Sequence, residues 1–407
     1  MMKRIAIVTM GVKLNNEKGY SRFRYLADFL VDAGYQVDLI TTTFQHWEKR
    51  QRDMGVIEAE TYKFNLRFIE EPGYKKNIDV RRIFSHRAAT KSLKKILQEN
   101  GEYDLIYAEI PPNNVALAAA KYAKEKGIPF VVDVNDLWPE AMRMVIDIKG
   151  ISTLLFYPMK KEAEKVYSLV SGIIGTSDEY RDRPIQNQKI DVPKETVYVG
   201  NEITEFDEGA KKYEEEVIKK EEFWVSYAGT IGTSYDIKTM VLAGKALQEK
   251  GLDNIKIKIL GGGPLQEELE KLAKEKECDT VEFVGYMPYE KMAAYLTKSD
   301  ILVNSFVKKA PQSIVTKIGD YLAAGKPMIN TCMSKEFRQK VENDGFGINI
   351  MPEDVNVLTE AIEMLYHDEE KRRVMGEKAR KIAQEQFDRP ISYKKIEAMI
   401  RSLLGEV

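Results

Sequence analysis

Short apolar runs alternate along the chain with longer segments whose apolar positions recur at helical spacing. The run over 5–10 predicts a first strand; Phe23, Leu26, Ala27 and Leu30 then mark one face of a helix over 21–33, which Gly34 stops. Strands are predicted next over 37–42, 65–69, 104–107, 130–133 and 172–175, with a basic, irregular stretch between the first two of these. Helices are predicted over 79–98, 114–126 and up to about residue 170. Strand–helix alternation of this kind implies a parallel sheet covered by helices on both faces. Glu, Lys and Asp dominate 202–222, which reads as a solvated linker or surface helix, and the domain boundary is set there. The alternation restarts with strands over 223–228, 255–260, 281–284, 301–303, 327–330 and 348–350. Helices over 236–250, from about 265, 291–296 and 314–324, and then towards the C-terminus, lie between and beyond them.

The expectation is therefore an α/β chain of two Rossmann-like, doubly wound domains, 1–201 and 223–390, joined by a charged linker over 202–222 and followed by a last helix within 391–407. In open α/β sheets ligands sit beyond the carboxyl ends of the strands, so two such domains are expected to face each other across a cleft.

Composition narrows the function classes. A 407-residue chain with 43% hydrophobic and 31% charged residues has material for a sizeable core. Its net charge of −2 supplies no overall attraction to nucleic acid. Cys278 and Cys332 have no CxxC spacing and read as buried thiols of a reducing compartment. The N-terminal apolar run is too short for a secretory signal, and no window nears the roughly 18 apolar residues of a membrane span. A cytoplasmic protein is expected. The histidines, His46, His86 and His367, form no zinc-type pair, and Asp-x-Asp is absent, so no metal or cofactor is expected. The chain also lacks a Gly-x-Ser-x-Gly elbow, a complete P-loop and a Gly-x-Gly-x-x-Gly turn after its first strand.

Three glycine clusters follow predicted strands of the second half: Gly229-Thr230-Ile231-Gly232, Gly261-Gly262-Gly263-Pro264 and Gly285-Tyr286-Met287. Glycine at a strand-to-helix turn admits a nucleotide close to the backbone, and helix N-termini favour phosphate. Downstream, Ser313, Ile314, Val315 and Thr316 enter a predicted helix, so their amides are candidates to hold a diphosphate, with Lys317 as a fixed positive charge. Asp320 is a candidate acceptor of ribose hydroxyls; the competing reading is an i,i+3 surface salt bridge with Lys317. In the first half, Asn135-Asp136-Leu137-Trp138-Pro139-Glu140 and Glu109 leave the sheet at its carboxyl edge. Asp136 is read there as orienting acceptor or sugar, against a plain helix-capping role, and Glu109, Asn135 and Glu140 are read as acceptor-side groups. Gly19 lies in the loop after the first strand and is a further candidate diphosphate contact.

Taken together, Asp136-Leu137-Trp138-Pro139-Glu140, Ser177 in Gly175-Thr176-Ser177, Gly229-Thr230, Gly261–Pro264 and Tyr321–Pro327 resemble the retaining glycosyltransferases of family four, the group-one transferases of GT-B architecture. The likeness spans nearly the whole chain, and the Asp-Leu-Trp-Pro-Glu variant resembles bacterial members that build capsule, exopolysaccharide or lipopolysaccharide. It implies an NDP-sugar donor, UDP first, bound mainly by the second domain without an obligatory metal. It also implies a C-terminal helix that returns to the first domain. The sequence departs from the family at Gln312, where a first acidic residue is usual, at Asp320, where Glu is usual, and at Asn135-Asp136, which replace a catalytic-loop histidine. No Arg/Lys pair follows the first strand of the second domain, which leaves Lys317 as the cation.

Transfer with retention, Lys317 and the Ser313–Thr316 and Gly19 amides stabilising the diphosphate, is the expected reaction. A saccharide or polyprenyl-diphosphate-linked acceptor is the expected partner. Lys75, Lys76, Arg81, Arg82, Arg87, Lys91, Lys94 and Lys95 surround an amphipathic helix within 75–95, which reads either as a solvated face or as a contact with an anionic membrane at the inner face of the cell membrane. A non-hydrolysing sugar-nucleotide epimerase and a non-catalytic nucleotide-binding subunit remain the alternatives.

Overall fold

Strands such as Arg4–Val8, Phe130–Val134 and Phe223–Ala228 are buried almost throughout, the mark of parallel strands covered on both faces. A computed structural model describes residues 2–15, 17, 21–77, 79–143, 151–185, 188–310 and 314–406. The chain forms two units: Met1–Val197 together with Tyr393–Val407, and Tyr198–Ser392.

Among the described residues the first unit holds a seven-stranded sheet, ordered Asn65–Ile69, Gln36–Thr42, Arg4–Val8, Leu105–Ile110, Phe130–Val134, Gly172–Gly175 and Lys194–Thr196. All its pairings are parallel. Helix Arg22–Asp32 buries Phe23, Leu26, Ala27 and Leu30 on one side of the sheet. The alanine-rich helix Asn113–Lys126 covers the other side, and Gly127 ends it at φ 67°. Helix Lys394–Leu403 belongs to this unit, its Ile396, Met399 and Ile400 packed with Ile5, Ile7 and Phe23. A Cβ on Gly172 would stand 2.7 Å from Met399 Sδ, so a side chain there would push this helix outward.

The second unit holds a six-stranded parallel sheet: Val281–Gly285, Ile255–Leu260, Phe223–Ala228, Ile301–Asn304, Met328–Asn330 and Gly347–Asn349. In each sheet the strand order reverses beside the unit's first strand. Arg4–Val8 and Leu105–Ile110 flank the reversal in one; Phe223–Ala228 and Ile301–Asn304 flank it in the other. The crevice outside the strand ends at such a reversal is where doubly wound sheets take ligands.

Three expectations need correction. The supposed linker 202–222 is structured: Ile203–Lys212 is a helix whose Ile203 and Phe206 are buried, and Gly209 lies so close to Glu290 that a Cβ would reach its Cα at 2.8 Å. Val217, further along, is buried with Trp224. Strand Lys194–Thr196 is additional to the predicted set, and the irregular stretch after the second strand contains a small hairpin, Phe44–Gln45 with Arg50–Gln51. The helix expected over 314–324 spans Lys317–Ala323. Both cysteines are buried thiols. Among the described residues no helix is long and apolar enough to cross a membrane.

Candidate functional site

The glycine turns of the second unit meet one another at the carboxyl edge of three adjacent strands. Gly229 N–H donates to Leu260 O, Ile231 N–H to Gly262 O, and Gly261 N–H to Gly285 O, at 2.8–3.0 Å. Contact at this range needs glycine itself. A Cβ on Gly261 would lie 2.1 Å from Gly229 O, and one on Gly263 would lie 2.3 Å from Ile231 O; Gly229, Gly261 and Gly285 also have φ of +146°, +119° and +86°. Thr230, Gly263, Pro264 and Tyr286 are exposed along this rim, Gly232 and Gly262 are half-buried, and Met287 turns into the core.

Lys317 enters the same place. Its Nζ stands 3.7 Å from where a Gly229 Cβ would be. The ring centroids of Tyr227, Tyr235, Phe306 and Tyr321 surround it at 4.1, 4.6, 5.3 and 5.7 Å. Tyr227 lies near the end of strand Phe223–Ala228 and Phe306 follows Ile301–Asn304, so the ammonium sits at the reversal of strand order. Nζ is out of contact with solvent and has no hydrogen-bond partner. Burial pulls its pKa from 10.5 to about 7. Tyr321, one turn on, donates from its hydroxyl to Ala228 O at 3.3 Å and accepts from Ala228 N at 2.7 Å, locking the helix to the strand.

Asp320 does not pair with Lys317. Its Oδ1 accepts from Tyr289 O–H at 2.7 Å and Asn201 Nδ2 at 3.0 Å. Burial raises its pKa to about 6 against the pull of those two donors. Thr316 is the exposed cap residue, while Ile314 and Val315 pack on the core. The amides of Ile318 and Gly319 are taken by Val315 O and Thr316 O, so the first turn of this short helix spends N–H groups internally. Ser313 and Gln312 lie outside the described residues, as does Gly19.

The first unit's strand-order reversal is filled differently. Glu109 leaves strand Leu105–Ile110, and its Oε2 accepts from Thr9 O–H at 2.7 Å, Met10 N–H at 3.0 Å and Gly11 N–H at 3.2 Å. A carboxylate of the protein thus occupies the donors of the loop after the first strand. Burial raises Glu109 to about 7, those three donors opposing. Beside it, Asn135 Nδ2 bonds Asp133 O and Oδ1 at 3.0 and 3.1 Å. The Asp136 carboxylate accepts from Leu137 N–H at 2.8 Å and Trp138 Nε1–H at 3.2 Å, so it is bound up in its own turn. Glu140 pairs with Arg183 at 2.8 Å. Below this edge Asp133 is fully buried with Arg22 at 2.9 Å and Tyr107 at 2.5 Å, and Arg22 Nη1 also donates to Val197 O at 3.0 Å.

The structure brings Gly229, Gly261, Gly285 and Lys317 together, and sets Asp320 one helical turn further along. Sequence reading missed the aromatic wall of Lys317 and the Tyr289 and Asn201 partners of Asp320. The aromatic residues after the first and fourth strands were the available signal.

Residues 210–382 match the family described as glycosyl transferases group 1. No curated protein matches the chain. Among solved structures the chain is similar to Alr3699/HepE of Anabaena in complex with UDP (15% identity, 98% of this chain and 100% of that one, TM-score 0.72). It is also similar to sucrose-phosphate synthase of Thermosynechococcus elongatus (18%, 99% and 99%, 0.70) and to WaaG, a glycosyltransferase involved in lipopolysaccharide biosynthesis (12%, 97% and 98%, 0.64). The fold is GT-B: two Rossmann-like units of parallel sheet and helices.

Proposed function

We propose that the protein is a retaining glycosyltransferase that moves a sugar from an NDP-sugar, UDP-sugar first, to a saccharide or lipid-linked acceptor in bacterial surface-polysaccharide assembly, without a metal. One observation carries this reading: an ammonium with no counterion lies at the strand-order reversal of the second unit, beside three glycine turns that meet at the carboxyl edge of the sheet. An enclosed, unpaired cation costs free energy in the resting protein, and a diphosphate would supply its missing partner. The solved complex of Alr3699/HepE with UDP and the group 1 match support the same ligand.

In the proposed reaction Lys317 neutralises charge on the departing diphosphate, the moment at which a fixed cation in a low-dielectric site contributes most. Asp320, already oriented by Tyr289 and Asn201, accepts the ribose hydroxyls. The first unit's Asn135 and Glu140 are assigned to the acceptor, and Asp136 becomes a positioning residue that fixes Trp138. Glu109 fills the equivalent crevice of the first unit with its own carboxylate, which favours the second unit for the nucleotide. A cytoplasmic enzyme resting on anionic lipid accords with Val80, Ile83 and Phe84, which are exposed among the basic residues of helix Val80–Glu99.

A thermal-shift panel of UDP, GDP and their sugars tests the reading. UDP at about 100 times its Kd should stabilise the protein by about 2.7 kcal/mol, and Lys317→Met should remove the effect while the free variant stays folded. Undiminished UDP stabilisation of Lys317→Met would take Lys317 out of the site. Conversion of the UDP-sugar to its epimer without any acceptor would replace transfer by epimerisation.

A further inference from the structure

A second group of unpaired cations lies in the first unit. Arg82 sits on the inward face of helix Val80–Glu99, with its guanidinium 4.5 Å from the ring centroid of Trp138 and 5.2 Å from that of Tyr74. Its Nη1 donates to Asn77 O at 3.0 Å, and its Nε is buried without a partner. Lys49 Nζ approaches the same Tyr74 ring at 5.2 Å and donates to the His46 carbonyl. The Tyr74 hydroxyl and His46 Nδ1 are 2.6 Å apart, and His86 stacks on Trp138 at 6.1 Å.

Neither cation has an acidic partner within ion-pair distance among the described residues. The nearest acids are otherwise engaged: Glu71 by the hydroxyls of Thr42 and Ser85 at 2.5 Å, Asp136 by Leu137 N–H and the Trp138 indole. Two neighbouring positive charges on an aromatic floor, which Glu71 and Asp136 reach only through attraction beyond ion-pair distance, form a cradle for an anion. Burial, aided by Lys49 and Arg82 at His46 and by Arg82 at His86, holds both imidazoles near pKa 3, so they stay neutral and leave Arg82 and Lys49 as the charges. Exposed Val80, Ile83 and Phe84 border Arg82 on the same helix and add an apolar margin.

We propose that Arg82 and Lys49, floored by Tyr74 and Trp138, form a binding site for a phosphate or diphosphate group. The Asp136 carboxylate grips the Trp138 indole, so the site is tied physically to the Asp136 turn. Naming that phosphate as part of the acceptor rests on the transfer reaction proposed above; the anion site itself does not.

The chain has three histidines, and two of them border this site, so imidazole NMR reads it directly. Inorganic pyrophosphate is titrated into the full-length Lys317→Met protein, which lacks the second unit's unpaired ammonium. His46 and His86 resonances should move and saturate while His367 stays fixed. Arg82→Gln should weaken this by about tenfold or more, whereas Lys49→Arg, which keeps the charge, should retain it. The proposal is overturned if His46 and His86 respond no earlier than His367, or if a folded Arg82→Gln, Lys49→Gln protein titrates like its parent. A parallel titration with geranyl diphosphate separates the sources. Binding about tenfold tighter than pyrophosphate assigns the group to an isoprenoid-linked acceptor, and equal binding assigns it to a soluble phosphorylated sugar. UDP binding, read separately on the unmodified protein, reports on the donor site whichever way these titrations fall.

Discussion

At Lys317, attraction to the faces of Tyr227, Tyr235, Phe306 and Tyr321 offsets part of the cost of burying an ammonium, on the order of 0.5–2 kcal/mol, and burial still brings the pKa to about 7. The folded protein therefore binds fewer protons than the unfolded chain between about pH 7 and 10.5, and this group's contribution to stability rises with pH across that window. A bound diphosphate reverses the preference by favouring the charged form. The affinity for UDP should accordingly fall as pH rises above 7, approaching about tenfold per pH unit. Calorimetric titrations at several pH values check this, with Lys317→Met expected to give a flatter profile. Glu109 has the opposite sign: with its pKa raised from 4.5 to about 7, its contribution to stability falls as pH climbs through that interval. Lys317 was legible in the sequence as a cation after a polar turn. Its surroundings were not, because Tyr227, Tyr235, Phe306 and Tyr321 come from separate segments and only the fold assembles them. The same holds for Asp320, whose partners Asn201 and Tyr289 come from elements far from it in the chain.

Among the elements, the glycine turns differ in what they tolerate. Gly261 has both a positive φ and a backbone oxygen where a Cβ would go, whereas Gly285 has a positive φ with open space around it. Gly285→Ala should cost about 1–2 kcal/mol from backbone strain alone. Gly261→Ala should cost more and should also displace the Gly229 turn, weakening UDP stabilisation. Urea unfolding of the two variants, with and without UDP, separates these effects. Alternating strand and helix patterns made both sheets readable, since buried parallel strands appear as unbroken apolar runs. The burial of Ile203–Lys212 left no mark in the pattern because its buried stripe needs few apolar residues, Gly209 bringing the helix close to Glu290 without adding hydrophobicity. Lys194–Thr196 is a three-residue edge strand, too short to leave a pattern.

Over the whole molecule, the first unit is built from two stretches distant in sequence, Met1–Val197 and Tyr393–Val407. The buried guanidinium of Arg22 meets both, donating to Val197 O at 3.0 Å and approaching the Tyr393 hydroxyl at 3.4 Å. Ending the chain after Ser392 would uncover Ile5, Ile7 and Phe23 where Ile396, Met399 and Ile400 now cover them. Hydrogen exchange of such a truncated protein should quicken in strands Arg4–Val8 and Gln36–Thr42, while strands Phe223–Ala228 and Ile255–Leu260 keep their protection.

This split has a bearing on biosynthesis. A nascent polypeptide emerging from the ribosome offers its N-terminal residues first, yet the first sheet lacks one of its covering helices until Lys394–Leu403 has been made. The second unit, contiguous from Tyr198 to Ser392, has all its parts earlier. Maturation should therefore run against the direction of synthesis, the later-made unit settling while the earlier-made one waits, an apolar face still open to chaperones.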